Sequence, residues 1–209
     1  MGDDKKIQES WERFLNPDEL RPTLMLASIY ISTFEILKDS IISRIKDFYW
    51  TGFDENGEII DPNYKTEVLA RNNSPLYASL AWLKESEAID DSDIEKFNLI
   101  KKQRNDIAHQ MFRMLSNGLP LEFTERFNEM VALLNKIEKW WIAIEAETGL
   151  FNIDEQGRLV DADITDADLN EAIPGPIVSL KMLIDIAIGP DEKSRDYFNE
   201  FIKMTRKDE

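Results

Sequence analysis

Apolar residues recur along this chain at three- and four-residue steps, the repeat of an α-helix that keeps one face out of water. The series Leu24, Leu26, Ile29, Tyr30, Phe34, Leu37, Ile41, Ile45 and Phe48 predicts a helix of about seven turns, with Lys38, Asp39, Lys46 and Asp47 off the stripe. Pro17 and Pro22 bracket a short opening segment before it. Ser74-Pro75, a capping residue followed by proline at the first helical position, opens a second helix carrying Leu76, Leu80, Trp82 and Leu83. A third starts at Asp91 or Ser92 and stops at Asn117-Gly118. A fourth runs from Glu122 to Thr148, where Phe123, Phe127, Met130, Leu134, Ile137, Trp141 and Ile144 form a regular seam ended by Gly149. Four such helices predict an all-α fold, an up-and-down bundle.

Two loops break the helical repeat. Thr51–Asp61 and Thr148–Asp161 each place Asp-Glu-(Asn/Gln)-Gly between apolar flanks, the signal of a tight turn, and predict small β-hairpins that could pair with each other. The second also resembles a calcium loop, but Asn152 replaces the leading Asp and Asp163 the closing Glu, so the hairpin is preferred. Beyond it lies an acid-rich stretch in which Thr165 and Asp168 could form a capping box. Helices over Ile177–Ile188 and Asp191–Arg206 then end the chain, split by Gly189-Pro190. The organisation expected is a bundle over residues 1–150 with an extension, 151–209, docked through Ile177, Leu180, Leu183, Ile184, Tyr197, Phe198 and Phe201.

Composition narrows the chemistry. The 209 residues include no Cys, which removes disulfides, thiolate metal sites and thiol catalysis. A single histidine, His109, removes any site needing two imidazoles from one chain. Asp106 and His109 have the spacing of half a di-iron helix motif, but no second acid-x-x-His exists, so no metal or other cofactor is expected. The N-terminus lacks a signal-peptide pattern, and no apolar run approaches the ~20 residues that cross a bilayer, so a cytoplasmic chain without membrane contact is expected. The net charge of −16 disfavours unaided binding to nucleic acid, and no DNA ligand is expected. Its distribution matters more: residues 1–95 and 114–209 each sum to −10, whereas residues 96–113 sum to +4 and hold the only histidine.

That basic segment lies on the third helix. Heptad spacing puts Ile94, Phe97, Lys101, Arg104, Ala108, Met111 and Leu115 toward the core, with two cations where a bundle would bury apolar groups. Beside them runs a polar row of Asn98, Lys102, Asn105 and His109, the last two four residues apart on one face. Arg104 lies about 140° round the helix from His109, within folding-back distance of a long side chain. Polar groups that break a packing rule in mid-helix are expected at functional sites.

The run Arg104-Asn105-Asp106-Ile107-Ala108-His109 resembles the R-x4-6-H motif of the HEPN superfamily, and the helix order over residues 20–148 suits that family's small α-bundle. The resemblance implies a metal-independent endoribonuclease that cuts RNA through its own 2′-hydroxyl, with a toxin or a phage-defence effector as candidate settings. In such a site His109 would exchange protons, Arg104 would hold the phosphoryl group and Asn105 would orient His109 or bind phosphate. Lys101, Lys102 and Arg113 would line the groove for RNA. One chain supplies one imidazole, so acid and base together would need a homodimer, which is also the family's arrangement. An antitoxin or regulatory protein is a further candidate partner. Met111 stands where the best-known toxin subgroup has tyrosine, so control by tyrosine modification is not implied. Two other readings compete. The chain could be a catalytically inactive HEPN-like interaction or regulatory module, with Arg104 paired to an acid such as Glu35. Alternatively the motif is accidental on an acidic scaffold, which predicts a buried His109 and a monomer.

Overall fold

The computed structural model describes residues 2–55, 57–148, 168 and 171–205. It is an all-α helical bundle with one small antiparallel hairpin among the described residues. The helices are α1 (Gly2–Leu15), α2 (Pro17–Phe48), α3 (Pro75–Glu85), α4 (Asp91–Asn117), α5 (Phe123–Glu147), α6 (Gly175–Ile188) and α7 (Asp191–Thr205). No described helix is long and apolar enough to cross a membrane.

The core sits where α2, α4 and α5 pack on one another, with α3 closing one side of α2. Tyr30, Leu37, Ile41 and Ile45 of α2 meet Phe97, Ile100 and Ile107 of α4 and Met130, Leu134 and Ile137 of α5, all inaccessible to solvent. The apolar repeat of α5 and the middle of that of α2, from Ile29 to Ile45, thus face inward as the spacing predicts, whereas Leu24 and Phe48 at the ends of the α2 stripe are exposed. Tyr30 is buried because its ring fills this core while its hydroxyl donates to the Ile100 carbonyl at 3.3 Å, and burial pushes the phenol far above its ordinary pKa. Tyr30→Phe should therefore lower stability by about 1 kcal/mol, measurable by urea unfolding.

Local sequence explains most boundaries. Asn16 caps α2 by accepting from the Asp18 amide, and Pro17 takes the first helical position, where its missing N–H costs nothing. The helix then continues through Pro22, so the sequence expectation of a start after that residue is corrected. α3 starts at Pro75 as predicted, but the Ser74 side chain makes no capping hydrogen bond. α4 opens with a reciprocal capping box, Asp90 accepting from the Asp93 amide and Asp93 from the Asp90 amide. The nearby Ser92 hydroxyl first, then the Asp93 amide and Lys136, hold the Asp90 carboxyl well below the usual range. A depressed carboxyl stabilises the fold above its unfolded pKa and stops doing so as pH falls through the folded value. Asp90→Asn keeps a capping side chain but loses the charge. Its Tm should fall below wild type at pH 7, and the difference should shrink as pH drops below about 3.8, the ordinary value.

The first hairpin forms as expected: β1 (Trp50–Asp54) pairs antiparallel with β2 (Gly57–Ile60), Asp54 opposite Gly57. Gly57 has φ +118°, a conformation that favours glycine. The second expected hairpin, its pairing with the first, the calcium-like loop and the Thr165 capping box fall outside the described residues, apart from isolated positions at their edges.

Three features depart from the sequence reading. α1 is a helix that the reading did not assign; it leans on the end of α4 through Trp11, Phe14 and Phe112, with Arg13 donating to the Asn117 carbonyl at 2.5 Å. The extension docks through Leu180, Ile177 and Ile184 of α6, the first buried and the others half-buried, whereas Leu183, Phe198 and Phe201 are exposed. Tyr197 is tied to α6 by donating to Asp185 at 2.8 Å. Finally, α4 is broken at Gln110, whose φ of −117° and ψ of 21° are not helical. The break follows immediately after the lone histidine.

Candidate functional site

α4 carries all six residues singled out from the sequence, but its core face is rotated from the one expected. The buried positions are Phe97, Ile100, Gln103, Ile107, Met114 and Leu115, together with Asp93. Ala108 is exposed, and Lys101 and Arg104 lie half-buried at the edge of the seam. The reason is that Ile100, Ile107 and Met114 supply their own seven-residue repeat, which buries more apolar surface than a row containing two cations. The cations therefore flank the core. Each lays its aliphatic stem along the bundle and sets its charge over a ring: Lys101 Nζ lies 4.6 Å from the Tyr77 ring centre and Arg104 Cζ 5.5 Å from that of Phe34.

Arg104 is the most heavily engaged of the six. Its Nη2 donates to Glu35 Oε1 on α2 at 2.6 Å, and its Nη1 donates to Asn105 Oδ1 at 3.3 Å. Its Nε is buried without a hydrogen-bond partner among the described residues. The other oxygen of Glu35 accepts from Lys38 Nζ at 2.9 Å. The Lys38 hydrogen bond first, and that of Arg104 after it, pull the Glu35 carboxyl below its ordinary pKa despite partial burial. Glu35 is the pairing acid that the sequence suggested; Lys38, one turn further along α2, and the Phe34 ring were not singled out. Their signal in the sequence was the i, i+3 spacing of Glu35 and Lys38.

His109 is exposed, so the reading that required it to be sealed in the core is contradicted at that point. Asn105, four residues earlier, is half-buried and turns its side-chain oxygen to Arg104. The Arg104 guanidinium is thus held by the Asn105 amide, and an accessible imidazole follows one helical turn after Asn105. The remaining cations point elsewhere. Lys101 turns to α3, donating to Tyr77 Oη at 3.3 Å, and that hydroxyl donates to Asn98 at 2.8 Å. Lys102 lines a different groove of about 340 Å³ beside Gln103, Asp106, Glu122 and Arg126, next to α5. Arg113 lies beyond the break and donates to Gln110 Oε1 at 3.4 Å. The six residues therefore occupy one helix without converging on one groove within the chain.

A guanidinium such as that of Arg104 can hold an oxyanion, and an exposed imidazole such as that of His109 can exchange a proton. The sequence matches no protein-family model, and neither the curated proteins nor the solved structures provide a match.

Proposed function

We propose that this chain is a HEPN-type, metal-independent endoribonuclease acting as a homodimer. The observation that carries the reading is the exposed His109 one turn from Asn105, whose amide holds the Arg104 guanidinium. In the proposed reaction one His109 takes the proton from an RNA 2′-hydroxyl as that oxygen attacks the adjacent phosphorus. Arg104 stabilises the charge that gathers on the phosphoryl oxygens. The bond from phosphorus to the 5′-oxygen breaks, and His109 of the partner subunit gives that oxygen its proton. The products are a 2′,3′-cyclic phosphate and a 5′-hydroxyl end. A single imidazole per chain supports the two-copy arrangement, because base and acid must be in opposite protonation states at the same moment.

The test is RNA cleavage in the presence of EDTA. Wild type should cut and leave cyclic phosphate ends, and His109→Ala and Arg104→Ala should each slow cutting by about a hundredfold or more. Cleavage unchanged by either substitution would remove the enzyme. A second reading has its own observation: the close Arg104–Glu35 ion pair suits a guanidinium kept for structure, in a catalytically inactive interaction or regulatory module. That reading expects no cleavage by wild type and a loss of thermal stability in Arg104→Ala.

A further inference from the structure

Two cations from different helices converge on one carboxylate beside the motif. Glu35 presents one oxygen to Arg104 at 2.6 Å and the other to Lys38 at 2.9 Å. The side chains of Lys38 and Glu35 are 44% and 42% exposed, and that of Arg104 is 29% exposed, so a ligand reaches the cluster without opening the core. The guanidinium rests on the Phe34 ring and spends one Nη1 hydrogen on Asn105 and one Nη2 hydrogen on Glu35; its Nε–H is buried, so a ligand would take the remaining Nη hydrogens and the one released by Glu35. A forked guanidinium, an ammonium and an aromatic floor around an anionic group are the elements of a phosphate site.

We infer that Lys38 and Arg104 form a clamp for a phosphodiester group of RNA, and that the Glu35 carboxylate occupies the clamp's anion position when RNA is absent. The identity of the ligand rests on the ribonuclease reading above. Exchange is favourable because a half-exposed ion pair contributes little on its own and a displaced Glu35 is rehydrated at the surface of α2. The phosphodiester offers two non-bridging oxygens to the fork and releases counterions from the strand as it binds. The clamp adds Lys38 and Glu35 to the site. Lys38 is a ligand, and Glu35 sets how readily Arg104 accepts one.

The experiment measures binding without cleavage, by fluorescence anisotropy of a short labelled 2′-O-methyl oligouridylate, which carries the phosphates but no free 2′-hydroxyl. Glu35→Gln should bind about five- to tenfold more tightly than wild type. Lys38→Gln should bind more weakly, with a shallower dependence of affinity on salt by about one phosphate contact. Asp39→Asn, which removes an exposed charge one turn away on α2, is the control for a general charge effect and should leave affinity unchanged. Glu35→Gln binding no more tightly than wild type, or Asp39→Asn tightening binding equally, would overturn the clamp. The two proposals separate cleanly. If wild type never cuts RNA but Glu35→Gln binds more tightly, the ribonuclease falls and the clamp stands. If wild type cuts RNA and Glu35→Gln gains no affinity, only the clamp falls.

Discussion

Replacing Phe97 by alanine is expected to lower the free energy of unfolding by about 3–5 kcal/mol. The ring, two turns into α4, is inaccessible to solvent, stacked on Phe34 at 5.9 Å and edge-on to Tyr77 at 6.3 Å. Alanine there removes apolar area and leaves a cavity that helices from two directions cannot close without losing their own contacts. The consequence extends to the site. Phe34 lies beneath Arg104 and Tyr77 beneath Lys101, so the two rings that Phe97 supports are the ones on which the flanking cations rest. The urea midpoint should fall with little change in slope, and cleavage should fall with it. A loss below about 1 kcal/mol would mean that the core collapses onto the gap and that α4 is held mainly by its other contacts.

His109→Ala should do the opposite, leaving stability within about 0.5 kcal/mol of wild type while lowering RNA cleavage by about 10²–10⁴-fold. The small stability change follows from exposure: His109 lies at the surface, outside the packed core. The large change in rate follows from the absence of any other imidazole in the chain to replace it. This makes His109 a cleaner probe than Arg104, whose removal would also leave Glu35 with one cation fewer. Single-turnover cleavage beside a thermal melt checks both parts, and a variant that melts like wild type and cuts at the same rate would end the catalytic assignment. The lysine variant at position 104 refines it, because an ammonium keeps the charge without the fork.

The comparison of pattern with structure is most instructive on α4. Its limits were readable, because Asp90-to-Asp93 capping and Asn117-Gly118 are local signals set by backbone groups within a few residues. Its buried face was not. Two seven-residue rows, one through Phe97 and Arg104 and one through Ile100 and Ile107, are both plausible seams by spacing. The choice depends on what α2 and α5 offer opposite them. Here Leu37, Ile41, Leu134 and Ile137 favour the fully apolar row, and the cations are turned to the rim. The seating of α1 is likewise set by contacts between distant segments, Phe14 on Phe112 and Arg13 on Asn117.

The amino-acid order alone was enough to determine that the chain is helical, where α3 begins, where α4 and α5 begin and end, and that its sole imidazole lies one turn beyond an Arg-Asn pair in a short basic stretch, but not where α2 starts or that α1 forms. Those properties arise from hydrogen bonds and side-chain repeats a few residues long. Tertiary structure decided which way each cation points, that Arg104 joins Lys38 on the Glu35 carboxylate of α2, and that His109 stays in water. Such pairings join groups nearly seventy residues apart in the chain, and only the mutual packing of helices brings them within hydrogen-bonding distance.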